Sequence, residues 1–446
     1  MNQINTMRTM AWALVAALLT SLAACGGGGG GSSSATTTGN TTTSNSSNTS
    51  SASTPASTPA TTSTLSSANP TAVPTASTAA NTVPVLVSVT QFNRANAPMA
   101  SVTVCTAGTN ATSNCTTINN VLVDTESFGL RLFASAIAST TLNTLTLQTS
   151  GSATVAECAL FGSGYSWGTV RNADIKLGGE VGQNVPIQVM EDTALTATAP
   201  SDCQQAPAFS QPSDLGANGI LGVGVAPQDC GSQCVTNSPT GHYYACSGAT
   251  CSVANRQLAQ QVGNPVQYFT TDNNGVVLEM PAVGTSGAAS ASGTLVFGID
   301  TQSNNTLAGS GATVLTTDSS GDFTATYNGV TFSDNAFFDS GSNVLFFQDA
   351  TIATNGLKYF VPSSTLARSV AITGGNSVNA TIDFNVANAN TLFASGNYAF
   401  NNLASYLNGT FDLGMPFFYG RHVYYGISGT ASAGGGTGPY VGFTSS

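Results

Sequence analysis

The chain has 446 residues, enough for two domains with cores of their own. Charged residues make up only 7% and the net charge is −11, which excludes the clustered Lys and Arg that a nucleic-acid-binding face requires. Two histidines, His242 and His422, are too few for a His-rich metal site, and neither a metal nor a cofactor is expected.

The N-terminus reads as an export signal. Arg8 lies in a short n-region and an apolar run extends from Met10 to about Leu19, too short to span a bilayer comfortably. The run ends in Leu22-Ala23-Ala24-Cys25, which resembles the lipobox of bacterial lipoproteins. That resemblance implies removal of residues 1–24 and acylation of Cys25; the alternative is an ordinary signal peptide with an incidental Cys. In the sorting pattern of that class, Gly26 in place of Asp implies the outer membrane. The expectation is a lipid-anchored protein of the cell envelope, on the periplasmic or surface face. From Gly26 to about Asn81 the chain is dominated by Gly, Ser, Thr, Ala, Asn and Pro and carries no charge. Residues 25–82 are therefore expected to form a lipidated, flexible tether, with an r.m.s. span of about 40 Å. The uncharged stretch continues to Phe92 and Asn93, so it offers no electrostatic clamp against an acidic cleft.

Eight further cysteines, an even number in an exported chain, point to disulfides. The pairings expected are Cys105 with Cys115, Cys158 with Cys203, and two bridges within 230–251. The alternative for Cys230, Cys234, Cys246 and Cys251 is a zinc site. Strand signals begin at Val83 with "VPVLVSV" and continue through "ASVTVC", "CTTINNVLVD", "GTLVFGID", "ATVLTT", "FTATY", "VTF", "NVLFF" and "HVYYGI". Asn328-Gly329 predicts a two-residue hairpin turn. The best helical candidate is "VANRQLAQQVG", Val253 to Gly263, with Val253, Leu258 and Val262 near one face. The class expected is all-β, with few short helices.

Two stretches carry the chemistry. "VLVDTESFGLRLF" (121–133) and "AFFDSGSNVLFFQ" (336–348) each place an Asp after an apolar run, then a hydroxyl residue, then a Ser. "ALFGSGYSWGTVRNADIKLGG" (159–179) reads as a strand, a Gly-rich tip and a returning strand. "ANGILGVG" (217–224) and "FDLGMPFFYGRHVYYGI" (411–427) each contain a Leu-Gly pair. In this order the elements resemble the bilobal pepsin-like aspartic peptidases, with two β-barrel-like lobes, here residues 83–290 and 291–446. The lipid anchor and neutral tether also resemble an uncharacterised family of bacterial lipoproteins.

The peptidase resemblance implies Asp124 and Asp339 as the catalytic pair, supported by Thr125, Ser127, Ser340, Gly341 and Ser342. Ile220-Leu221-Gly222 and Leu413-Gly414 would pack beneath the two turns. Phe161, Gly162 and Ser163 would form the flap. Two carboxylates about 3 Å apart cannot both ionise, so they share one proton. The ionised member takes a proton from water and the other donates to the peptide carbonyl. Three departures stand out. Glu126 occupies the turn position where the family has Gly. Asp412 precedes Leu413 where an apolar residue is expected. Phe161 replaces a flap Tyr. The expectation is therefore an aspartic endopeptidase, monomeric, acting on peptide or protein. Its alternatives are an inactive binding or structural lipoprotein of the same fold, and a serine hydrolase using Gly164-Tyr165-Ser166-Trp167-Gly168 as a nucleophile elbow.

Overall fold

The structure, a computed structural model, describes residues 73–444. The export signal, Cys25 and most of the expected tether lie outside the described residues. Its last part, from Val73, runs along a sheet: Thr294 Oγ1 donates to the Thr75 carbonyl at 2.6 Å, and the buried Asn81 donates to the Phe297 carbonyl at 3.0 Å.

The described chain is overwhelmingly β, in sheets of 17, 7 and 2 strands. Alternation sets the strand faces. In Thr82–Val87, Val83, Val85 and Val87 are buried while Leu86 is exposed, the period of a half-buried strand. A motif of three strands occurs twice. In the first half, Gly219–Val223 runs parallel to Thr116–Asp124, with Gly222 opposite Asp124, and antiparallel to Phe128–Phe133. In the second, Phe411–Gly414 runs parallel to Val330–Asp339, with Gly414 opposite Asp339, and antiparallel to Leu345–Phe347. Each Asp thus ends one strand of a pair that a third strand threads. This is the bilobal, all-β arrangement expected of a pepsin-like fold.

Between the two motifs lies a shared platform. Thr82–Val87 pairs with Ala291–Phe297, then Gly275–Glu279, His422–Gly426, Tyr440–Phe443 and Thr313–Thr316 follow in turn. Hydrogen bonding therefore continues across residue 290, because strands from both ends of the chain meet there. One hydrophobic core runs from Val83 in the first half to Phe443 in the last strand.

The expected hairpins are present. Asn328 and Gly329 both have positive φ, 49° and 77°, as a tight two-residue turn requires. Ala153–Phe161 and Gly164–Leu177 pair up to Phe161 opposite Gly164, leaving Gly162-Ser163 as the tip. The helix expected over 253–263 is not formed. Thr250–Val253 is a strand, and only Leu258–Gln260 makes a 3-10 turn. Val253 pairs with Tyr244 across a hairpin closed by the Cys246–Cys251 bridge. The other bridges are Cys105–Cys115, Cys158–Cys203 and Cys230–Cys234. Cys230 and Cys234 lie near His242, but the four sulfurs of the zinc alternative are bonded in pairs.

Candidate active site

The two turns hold their aspartates in the same way. Glu126 N–H donates to Asp124 Oδ1 at 3.1 Å, and Gly341 N–H donates to Asp339 Oδ1 at 2.7 Å. The hydroxyls then tie one turn to the other. Thr125 Oγ1 donates to the Phe338 carbonyl at 3.2 Å and accepts from Ser340 N–H at 3.0 Å, while Ser340 Oγ donates to the Val123 carbonyl at 2.7 Å. All four groups are buried, so these bonds meet no competition from water. Tyr425 adds a fourth bond, its hydroxyl donating to the Phe338 carbonyl at 3.0 Å. Ser127, expected among the supporting residues, contributes no such bond: its buried hydroxyl has no hydrogen-bond partner among the described residues.

The grip brings the carboxyls to one point. A side chain on Gly341 would begin 2.8 Å from Asp124 Oδ1 and 3.1 Å from Asp339 Oδ1, so only glycine fits there. Both aspartates are largely buried, 7% and 8% exposed. Burial, and then the negative charge of Asp124, push Asp339 up to about 8; the Ser342 hydroxyl and the Gly341 N–H pull it back in part. Two carboxyls this close titrate as a pair, and the pair holds its shared proton above the ordinary carboxylate range.

Glu126 does not disturb its own turn. Its φ is not positive, and its N–H makes the bond that a glycine would make. Its carboxylate runs along the cleft wall to the other half of the chain, with Oε2 3.2 Å from the point where a side chain on Gly321 would begin. Asp412 is a different case. It is fully buried beneath Ser342, and neither oxygen meets hydrogen-bond geometry with any described group. Burial, then the charge of Asp339, raise it well above the ordinary carboxylate range, with the Ser342 hydroxyl opposing. A carboxyl raised in the folded state stabilises fully below its unfolded value near 4, and that contribution is lost as the pH rises through the folded value. Asp412→Asn should therefore leave the melting temperature little changed at pH 4 and raise it above wild type at pH 8. Equal curves for the two proteins from pH 4 to 8 would contradict the assignment.

Residues 77–443 match the family described as "Protein of unknown function (DUF3443)". The chain belongs to this family. A similar solved structure is the aspartic proteinase from Irpex lacteus, 16% identical, covering 82% of this chain and 97% of that one, with a TM-score of 0.46. No curated protein matches the sequence.

In this DUF3443 chain the paired aspartates open on a cleft of about 1030 Å³. The hairpin tip at Phe161, Gly162 and Ser163 lines the same cleft. Phe161 packs on Phe209 with ring centroids 6.0 Å apart and lies beneath the guanidinium of Arg131 at 5.6 Å. Arg131 is matched by Glu157 at 2.5 Å and Asp229 at 3.2 Å, and Tyr243 donates to Asp229 at 2.6 Å. This buried network, Tyr425 and Arg94 were not singled out from the sequence. Arg94 had one signal: it is the first charged residue after the uncharged stretch. The network had none, because its members are scattered from Arg131 to Tyr243.

The nucleophile-elbow reading is corrected. Ser166 lies in mid-strand within Gly164–Leu177, is 0% exposed, and has no hydrogen-bond partner for its hydroxyl. An elbow requires a helix after the Ser and an exposed Oγ, and neither exists here. His242 lines the cleft, whereas His422 lies on the platform beside Glu279 at 3.6 Å.

Proposed function

We propose that the chain is an aspartic endopeptidase, held in the cell envelope by a lipid on Cys25. The observation that carries the enzymatic part is the meeting of two buried carboxyls in one cleft, with Asp339 pushed up by burial and by the charge of Asp124. Asp124, negatively charged beside Asp339, takes a proton from a water held between them as that water attacks the peptide carbonyl carbon. Asp339 gives its proton to the carbonyl oxygen. The tetrahedral intermediate collapses as a proton passes to the leaving amine, and the pair returns to its starting charge. The Thr125 and Ser340 bonds keep the two carboxyls in place, so little reorganisation accompanies the reaction. Because Asp339 holds its proton up to about pH 8, cleavage should extend from acid to neutral pH and fall above that. Anchoring rests on Leu22-Ala23-Ala24-Cys25 alone. Among the described residues, no helix is long and apolar enough to cross a membrane. Metabolic labelling with a fatty acid, compared with Cys25→Ala, tests the anchor. Hydrolysis of mixed peptides from pH 3 to 9, with a hydroxyl-bearing transition-state analogue as inhibitor, tests the enzyme.

A second reading, a peptide-binding protein without cleavage, is favoured by Glu126, which places a carboxylate along the wall where a substrate backbone would approach. Glu126→Gly separates the two. On the peptidase reading it should raise kcat/KM about tenfold, since it removes bulk and a like charge near the pair. Folded protein with no turnover in either form would leave only the binding role.

A further inference from the structure

Arg94 enters the cleft from the loop that joins Thr82–Val87 to Met99–Thr106. The loop is pinned two residues later. The fully buried Asn96 donates to the carbonyls of Asn343 and Phe400 at 2.9 Å each, and its Oδ1 accepts from Phe400 N–H at 2.7 Å and from the Tyr419 hydroxyl at 2.9 Å. These bonds join segments 247 to 323 residues apart, so the base of Arg94 is held by both halves of the chain. Its Nη1 donates to the Leu215 carbonyl at 2.8 Å, and its buried Nε has no hydrogen-bond partner. The stem passes 3.2 Å from the point where a side chain on Gly216 would begin. Leu122, Leu215, Ile220 and Tyr359 line the same cleft.

The charges in the cleft are unequal. Its lining holds five acidic side chains, Asp124, Glu126, Asp202, Asp229 and the proton-holding Asp339, but only two arginines. Arg131 is matched by Glu157 and Asp229. Arg94 forms no ion pair among the described residues, although Tyr359, Asp339 and Asp124 all act on its charge. Arg94 is half-buried, and a guanidinium partly withdrawn from water with no anionic partner is costly unless an anion completes it. Carboxylates are its best geometric match, through two parallel N–H bonds. Elsewhere the acidic lining repels an anion, so an anionic group would be drawn to this one place.

We propose that Arg94 is a carboxylate-binding subsite, which selects peptides presenting a carboxylate beside the Asp124–Asp339 pair. The inference rests on the reading of the cleft as a peptide site. The carboxylate would come from an acidic side chain or from a free C-terminus, and two pairs of peptides distinguish them. The first pair is blocked at both ends and carries Asp or Glu against Asn or Gln. The second has neutral side chains and a free C-terminal acid against its amide. Binding to the full-length protein is followed by fluorescence anisotropy at low salt, and cleavage is followed in parallel.

The acid member of one pair should bind about tenfold more tightly than its amide. Arg94→Gln keeps a donor for the Leu215 carbonyl and should erase the preference; Arg94→Lys should retain part of it. Circular dichroism and melting of the variants exclude unfolding as the cause. Equal binding of acid and amide in both pairs, or a preference that survives Arg94→Gln, overturns the subsite. So does a variant that shifts only the pH limit of cleavage, since Arg94 would then act only on the dyad. Acid preference without cleavage sinks the peptidase reading and leaves the subsite. Cleavage without acid preference does the reverse, and no binding by any peptide overturns both.

Discussion

Asp339→Asn should lower peptide hydrolysis by about a thousandfold or more, and Asp124→Asn should match it. On the proposed peptidase reading each removes one half of a proton relay, and general acid–base catalysis alone contributes 10²–10⁴. The side chain is nearly isosteric, and Asn keeps an oxygen for the Gly341 N–H at 2.7 Å. Loss of activity should therefore come without loss of fold. The stability curve makes this testable in the same sample. Asp339 is pushed up to about 8, so the stabilisation from its proton is complete below about pH 4 and lost as the pH climbs through 8. Asp339→Asn has no such proton to lose. It should melt higher than wild type at pH 8 and close to it at pH 4, while its hydrolysis stays about a thousandfold down at both. Activity within tenfold of wild type in either variant would remove the two-carboxyl mechanism.

Gly414→Ala should be strongly damaging for so small a substitution. Gly414 lies opposite Asp339 in the strand that threads the second turn. A methyl there would sit 2.0 Å from the Val344 carbonyl oxygen and 2.7 Å from that of Ser342. Both are backbone atoms, so no rotamer change relieves the clash. The strands must part, and the Asp339 turn must move with them. Overpacking usually costs 1–3 kcal/mol, and a backbone clash this close should reach about 3 kcal/mol or more, or roughly a 5–10 °C fall in melting temperature. Hydrolysis should fall further than stability, because positioning errors of about 1 Å can cost 10² in rate. Gly284→Ala and Gly356→Ala are the controls, since a side chain at either meets nothing within 4 Å. Thermal melts and rates on the three variants decide it. A Gly414→Ala melt within 1 °C of the controls would show that this contact is not rigid.

The parts that the sequence made legible are local ones. A hydroxyl after an Asp, a Leu-Gly pair and an Asn-Gly turn each act within a few residues, through their own backbone, so they leave a readable pattern. Asn328-Gly329, the 162–163 tip and both Asp turns follow from such patterns. A short loop made the Cys105–Cys115 pairing legible too, whereas nothing local dictates Cys158–Cys203 across 45 residues. The stretch 253–263 misled for the opposite reason. Its helical spacing was overruled by the hairpin that pairs Val253 with Tyr244.

Tertiary structure decided the rest. Thr125 and Ser340 are 215 residues apart, and no local rule says that each will bond the other's turn. The proton affinity of Asp339 depends on burial and on a charge brought from the other half of the chain. Asp412 reads as one misplaced polar residue in sequence; packing makes it a buried acid beneath the pair. Ser166 fits an elbow until the strand around it buries its hydroxyl. Arg94 is only a lone cation after an uncharged stretch, until Asn96 pins its loop between the two halves and turns the guanidinium into the cleft. Charge and hydrogen-bonding capacity are written residue by residue, whereas burial and proximity exist only once distant segments have packed.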